Sequence, residues 1–366
     1  MKRHVMMAGM FLWLATACTT PQSYMLKGSI PGVEDGTRIE LTGLNAQGED
    51  SLLVSGSVAE GCFEIPVAES CEMAYVQIPE SKQRIPLFFE PQIRKYNLES
   101  NAEGQYRVTG GALQEIWNGY EAQNARFNAR KDSIEVAYRQ CAREDDLFGK
   151  MHLRAVYDEV LEAQEQFEDS LLRQNDNIVA ATIVWLRSKR PTTGQQLGEK
   201  VALLGPKALQ TTPGKAVKQM SDRMLRIEIG KIAPDFTQND PDGNPVSLYG
   251  TRAKVKVLDF WASWCGPCRA ETPNVRRIYE KYRKDGLEII SVSLDTKREN
   301  WLKAVESDRM DWIHTSDLQG WDNAVARLYG IKSVPAIFVL DQENRIIGQN
   351  LRGKELEEVI RKVLKE

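Results

Sequence analysis

Histidine is nearly missing from this sequence. Among 366 residues there are three, and His4 falls in an N-terminal stretch with the features of a leader. His152 and His314 remain, which argues against a multi-histidine metal centre and leaves a Ser-His-Asp hydrolase few places for its base. A dominant charge of one sign is also absent: 48 Lys plus Arg against 51 Asp plus Glu give a formal net charge of −3. That balance points away from nucleic acid or an acidic membrane surface as the main partner. No apolar run is long enough to span a bilayer comfortably. With 42% hydrophobic and 27% charged residues, the composition is that of a folded chain and excludes disorder throughout. The length suggests two or three domains. Six cysteines are the obvious chemical resource.

Residues 1–17 have the layout of a secretory signal: basic Lys2 and Arg3, an apolar stretch over 5–14, then Ala15-Thr16-Ala17. The small residues stop at Cys18, which resembles the lipobox cysteine of bacterial lipoproteins. Leu14 stands one place further from Cys18 than the usual leucine, and ordinary cleavage after Ala17 is the alternative. The resemblance implies lipidation at Cys18 and a lipid anchor to the membrane. Thr19 and Thr20, with no Asp, resemble lipoproteins of the outer rather than the inner membrane. Export places the chain in the cell envelope on the periplasmic side, where disulfides persist.

Residues 18–111 read as short strands. Alternation over 25–30, 37–42, 51–54 and 62–67 is punctuated by Gly and Asp clusters, which predicts an antiparallel β-sandwich. The stretch resembles a domain found ahead of thioredoxin domains in some envelope lipoproteins, through its Asp35-Gly36 turn and its GCFEIPV and LFFEPQ segments. Over 112–229 the period becomes helical. Leu113, Trp117, Tyr120, Phe127, Ile134, Tyr138 and Cys141 form one apolar stripe, and Val156, Val160, Leu161, Phe167 and Leu171 a second. A third helix over about 177–188 precedes shorter pieces, and the region reads as a helical spacer with too few clean heptads for a coiled coil. Residues 230–366 read as an α/β unit. A buried strand over 255–261, a helix of about twenty residues and a strand over 287–294 make a βαβ crossover. A strand pair over 336–340 and 346–347 and a closing helix over 355–364 follow.

The chemistry lies between the buried strand and the helix, in Trp261-Ala262-Ser263-Trp264-Cys265-Gly266-Pro267-Cys268. A thiol at a helix N-terminus meets the positive end of the helix dipole and unpaired N–H groups, so its thiolate is stabilised. A second thiol one turn inward is less exposed and can close a disulfide with the first. The pattern predicts thiol–disulfide exchange, with Cys265 attacking and Cys268 resolving the mixed disulfide. Half a zinc site has the same spacing, but Cys62, Cys71, Cys141, His152 and His314 offer no second pair at ligand spacing, so no metal is expected. The redox-active Cys265–Cys268 pair requires no cofactor.

The segment LDFWASWCGPCRAETP resembles the active-site segment of thioredoxins. With its C-x-x-C-x-x-E form and Pro335 it is similar to the TlpA/ResA-type envelope thiol-disulfide oxidoreductases, over about residues 230–366 and with a thioredoxin fold implied. The resemblance implies that Asp259 is the buried acid exchanging a proton with the inner cysteine, and that Glu271 tunes the cysteines. A carboxylate in an apolar strand is costly without a role; Glu271 could equally be an exposed helix residue. Pro273 matches a kinked active-site helix. Val334-Pro335 matches a cis-proline loop, where the Val334 backbone would pair with an extended substrate; an ordinary trans proline opening an edge strand is the alternative. Trp264 frames the substrate site, Trp261 packs, and Gly266 and Pro267 form the active-site loop.

Cys62 and Cys71 could bridge a hairpin or stand as separate thiols, and Cys141 packs as a small hydrophobe. The favoured function is a membrane-anchored reductant of disulfides in exported proteins, recharged by a membrane thiol donor. Gly266-Pro267 is the dipeptide of thioredoxin, whose potential is about −270 mV against about −120 mV for the envelope's strong oxidant. The resemblance implies apocytochromes c, hence cytochrome c maturation, or other oxidised envelope proteins as substrates. A thiol peroxidase is the alternative, but the positions its motif fills with Pro and with Thr or Ser hold Leu258 and Ala262. An envelope binding or scaffold role is open for the residues before 230.

Overall fold

The computed structural model describes residues 23–45, 48–78, 84–100, 106–190 and 192–365. The leader over 1–17 and the lipidation of Cys18 lie outside the described residues. The chain divides into two compact units, Met1–Glu168 and Asp169–Glu366.

The first unit opens with β1 (Ser23–Ser29), β2 (Arg38–Leu44), β3 (Asp50–Ser57) and β4 (Cys62–Ala68). It continues with β5 (Met73–Gln77), β6 (Arg84–Phe88), β7 (Lys95–Ser100) and β8 (Tyr106–Thr109). Two four-stranded sheets result, in the orders β4-β1-β7-β8 and β3-β2-β5-β6. Strict alternation builds them: in β4 the buried residues are Phe63, Ile65 and Val67, and period-two patterning puts all three on one face. They join Leu26, Tyr96 and Leu98 of their own sheet and Leu41, Val76 and Leu87 of the other in one apolar core. The expected all-antiparallel pairing needs one correction, because β1 runs parallel to β7. The second sheet lies between them in sequence, a connection long enough to bring β7 in from the same end.

Cys62 and Cys71 are both free. Cys62 opens β4 and Cys71 lies three residues past its end, and an extended strand advances about 3.3 Å per residue, which holds the two thiols too far apart to bridge.

Helices α1 (Ala112–Arg143) and α2 (Leu147–Gln174) follow. Tyr120 stacks on Phe167 with ring centroids 6.4 Å apart, Phe127 meets the same ring at 6.1 Å, and Gln164 donates to Asn124 at 2.8 Å. These contacts make an antiparallel hairpin of α1 and α2. Cys141 is half-buried near its turn. The start of α1 is capped from a distance: Gly111 offers no side chain, and the Leu113 N–H donates instead to Glu90 Oε1 at 2.9 Å. Gly111 sits at φ +85°, and a Cβ there would press on the Glu90 carboxylate.

The second unit begins with the remainder of α2, followed by α3 (Ile178–Arg187), α4 (Gly194–Val201), α5 (Pro206–Gln210) and α6 (Thr212–Arg226). A short hairpin of β9 (Thr237–Asn239) and β10 (Pro245–Ser247) leads into β11 (Val255–Trp261), α7 (Gly266–Tyr282) and β12 (Leu287–Ser293). Then come α8 (Arg298–Ser307), β13 (Ile313–Thr315), α9 (Ala324–Leu328), β14 (Ala336–Asp341), β15 (Ile346–Gln349) and α10 (Gly353–Lys365). The sheet order is β13-β12-β11-β14-β15. β12 is parallel to both β11 and β13, while β14 is antiparallel to β11 and to β15. This is a thioredoxin-like fold, with β11 central and all seven of its residues buried.

Two Gly→Ala substitutions in the first unit should have opposite signs. Gly111→Ala forces a left-handed φ on a residue with a Cβ and displaces the Glu90 cap, so we expect a loss of about 2 kcal/mol. Gly119 lies inside α1 with open space around its Cβ position, so Gly119→Ala should stabilise by roughly 0.5–1 kcal/mol. Urea unfolding of the two variants checks both signs.

Candidate active site

Strand β11 delivers the chain to the site. After Trp261 the backbone turns through residues 262–264 and enters α7, with Cys265 as the N-cap residue and Pro267 in the first turn, where a missing N–H costs nothing. The turn is held by a buried carboxylate. Asp295 accepts from the Ser263 N–H at 2.9 Å, from the Ser263 hydroxyl at 2.5 Å and from the Ser293 hydroxyl at 2.7 Å.

Cys265 and Cys268 are joined by a disulfide, with Cα atoms 5.3 Å apart. The Cys268 N–H points at Cys265 Sγ, 3.2 Å away. A thiolate at Cys265 would therefore meet both that donor and the positive helix end. The expectation that Cys268 is the less exposed of the two is corrected: Cys265 is 4% and Cys268 6% exposed. In the disulfide form the bridge shields both sulfurs. Arg269 anchors the first turn of α7 through two 2.7 Å bonds to Asp308.

Beneath the disulfide lies a cavity of about 10 Å³, the space one water centre needs. It is lined by Asp259, Cys268, Glu271, Trp312 and Pro335 among others. Strand spacing and helix spacing meet here. Asp259 and Trp261, two apart on β11, face Cys268, Thr272 and Val275 on the inner side of α7. Asp259 accepts from the Ser291 hydroxyl at 3.0 Å, and Ser291 accepts from Trp312 Nε1 at 2.9 Å. Because Ser291 takes the indole N–H on its oxygen, its single proton is committed to Asp259. Burial dominates all the same, and pushes the Asp259 carboxyl up to about 7, with the serine bond only partly opposing it.

Glu271 reaches the same cavity, but its Oε1 accepts from Asn274 at 2.8 Å and from the Gly353 N–H at 2.8 Å. It ties α7 to the first turn of α10. Pro273 lies inside α7. The Val334-Pro335 bond is cis, as the proline-loop resemblance implied. The β11–β14 pairing ends at Ala336, so Val334 stands outside the ladder while Pro335 lines the cavity. Trp264 is largely exposed, and Trp261 is packed in the core at 1% exposure. Gly266 and Pro267 lie open in the first turn of α7.

His314 stacks on Trp312 with centroids 5.7 Å apart, and its Nε2 lies 2.9 Å from the Met310 carbonyl. Burial pushes it down to about 4, so it stays neutral at ordinary pH and is a weak proton acceptor there. Among the described residues no group of three His, Cys, Asp or Glu could hold a metal ion, and no helix is long and apolar enough to cross a membrane.

The sequence reading missed Ser291, Trp312, Asp295 and Ser263. Ser291 and Ser293 left a trace, as two hydroxyl residues at strand spacing inside the apolar run of β12. Asp295 and Trp312 left none, because their roles depend on pairings between elements distant in sequence.

A thioredoxin-like sheet with a cysteine pair closing a disulfide at a helix N-terminus defines a thiol-disulfide oxidoreductase. Comparison with known proteins agrees. Residues 229–349 match the AhpC/TSA family. The chain is 30% identical over 140 residues to the thiol-disulfide oxidoreductase ResA of Bacillus thuringiensis subsp. konkukian, covering 38% of this chain and 79% of that protein. To ResA of Geobacillus thermodenitrificans it is 31% identical over 120 residues, 33% of this chain and 67% of the relative. A solved thioredoxin domain of a thiol-disulfide oxidoreductase from Bacteroides vulgatus shares 34% identity over 37% of this chain and 98% of its own, with a TM-score of 0.36. Through its C-terminal α/β region the chain belongs to the ResA-like thiol-disulfide oxidoreductases of the AhpC/TSA family.

The Asp259 carboxyl gives stability a definite pH dependence. Below about pH 4 it is protonated in both folded and unfolded chains. Between 3.8 and about 7 only the unfolded chain ionises, so folding loses stability as pH rises, and the loss levels off above 7. Asp259→Asn removes that loss. In urea unfolding of the oxidised protein, the variant should gain on wild type across this window by up to roughly 4 kcal/mol; a difference independent of pH would contradict the assignment.

Proposed function

We propose that this oxidoreductase works as a reductant of disulfides in exported proteins, anchored to the envelope membrane on its periplasmic side. The observation that carries this reading is the Cys265-Gly266-Pro267-Cys268 bridge at the N-terminus of α7 with Asp259 in the cavity behind Cys268. In the reduced state the Cys265 thiolate attacks one sulfur of a substrate disulfide, forming a mixed disulfide and expelling the other sulfur as a thiolate that takes a proton from water. Ionised Asp259 then takes the Cys268 proton, directly or through one water. The Cys268 thiolate attacks Cys265 Sγ, the bond from Cys265 to the substrate breaks, and the proton passes on to the departing substrate sulfur. The substrate leaves as a dithiol and the enzyme as the disulfide, with two electrons and two protons transferred. The pair itself is the redox centre and no cofactor is required. A membrane thiol donor would return the pair to the dithiol.

Substrate contact is assigned to Trp264, Val334 and Pro335. Gly266 and Pro267 set the geometry of the loop. Glu271, fixed by its bonds to Asn274 and Gly353, tunes the cysteines by shaping the wall of the cavity. The leader over 1–17 and lipidation at Cys18 supply the anchor, at the outer rather than the inner membrane. The two sheets over 18–111 are read as a sandwich, 112–229 as a helical linker and 230–366 as the redox domain. Oxidised envelope proteins, including apocytochromes c awaiting maturation, are the proposed substrates, and nucleic acid is not a partner.

Insulin reduction driven by a chemical dithiol tests the chemistry. Cys265→Ser should reduce the rate to that of the uncatalysed reaction, and a measured potential for the Cys265–Cys268 couple should lie near −270 mV. A potential near −120 mV would mark an oxidant instead.

A further inference from the structure

Two exposed tryptophans touch each other beside the disulfide. Trp264 and Trp321 are 56% and 48% exposed, and their ring centroids lie 5.9 Å apart at 54°. Exposed aromatic surface is costly in water, and tryptophan is among the side chains enriched where protein contacts are anchored.

Both rings stand on fixed backbone. Trp264 follows Ser263, which Asp295 holds through two bonds. Trp321 follows Gly320, which sits at φ +60° against the residues after β12; a Cβ there would lie 2.9 Å from the Thr296 methyl. Beyond Trp321, Asn323 is wholly buried. It donates to Asp317 Oδ1 at 2.9 Å and accepts from the N–H groups of Val325 and Ala326 at 3.0 Å. Asp317 also accepts from the Ala324 N–H at 2.8 Å. The loop is therefore built to keep the Trp321 ring outside.

Trp264 immediately precedes Cys265, and Cys265 itself is almost covered. A partner sulfur reaching it comes up beside Trp264, and Trp321 extends that surface. The carboxylates of Asp295 and Asp317 are taken up by the bonds above, and Asp322 is balanced by Arg327 at 3.3 Å in an exposed pair, so the charge beside the rings is close to neutral. We propose that Trp321, with Trp264, forms a recognition surface for the substrate residue beside the attacked cysteine, and that it selects an apolar residue there, aromatic above all. This inference rests on the reading of the chain as a reductant of protein disulfides.

The test uses three peptides that differ only in the residue following their single cysteine: phenylalanine, serine or lysine. Each carries that cysteine as a mixed disulfide with thionitrobenzoate. Pre-reduced full-length protein, freed of the reductant, supplies the two electrons. Each turnover yields one peptide thiol, one thionitrobenzoate and the Cys265–Cys268 disulfide, followed by absorbance. Wild type should favour the phenylalanine peptide over the serine peptide by about tenfold in the second-order rate constant of this single turnover. Trp321→Ala should bring that ratio to within about twofold of unity, and Trp321→Tyr should keep most of it. Equal rates on all three peptides in wild type, a preference for lysine, or a preference for phenylalanine that survives Trp321→Ala would each overturn the inference. Wild type that consumes none of the peptides would overturn the underlying reading, and the inference with it.

Discussion

The redox unit depends on one buried strand. All seven residues of β11 are covered, with β12 on one side and β14 on the other, and a strand held on both edges cannot shift register without turning its faces inside out. The position of Trp261 is thereby fixed, and with it the turn that follows and the N-terminus of α7. Cys265 acquires its electrostatic setting because β11 ends where it does. The βαβ crossover then returns β12 alongside, which brings Ser291 opposite Asp259.

Two ionisable groups in that strand show how differently burial can be met. The Lys256 amine donates to the Leu248 carbonyl at 3.0 Å and to Asn344 Oδ1 at 2.6 Å, a structural solution that uses a strand residue to pin two loops. Asp259 has the Ser291 hydroxyl on Oδ2 and opens on the cavity behind Cys268. A carboxyl so placed keeps its proton to about neutral pH, which suits proton exchange with a thiol. Asp295, equally buried, receives three hydrogen bonds and serves as an anchor for the turn. Three buried ionic side chains thus divide into two that hold the frame and one that faces the reacting sulfur.

Much of this was legible in the sequence. The buried run over 255–261, the helix opening at Cys265 and the strand over 287–294 are local signals, and each stands within a residue or two of its expected place. The C-x-x-C after a buried strand is visible without a fold; Asp259 stood out as a charged residue in an apolar strand, and its role came from the resemblance to the TlpA/ResA-type enzymes. The helical stripes through Trp117 and Phe167 likewise predicted α1 and α2. What escaped depends on pairing between distant elements: the parallel β1–β7 contact, the Glu90 cap on α1, the Trp312–Ser291–Asp259 chain and the Trp264–Trp321 contact. Glu271 shows the other limit. Its position beside Cys268 was legible, while its bond to the start of α10 needed the folded chain.

The central claim is a division of labour within the disulfide: Cys265 meets the substrate, and Cys268, facing Asp259, resolves the mixed disulfide. The most direct measurement is mass spectrometry of reduced Cys268→Ser protein after mixing with insulin. The account predicts a stable adduct of one insulin chain on Cys265, and none on Cys268 when Cys265→Ser protein is treated in the same way. Equal adduct on both variants, or an adduct on Cys268 alone, would contradict it.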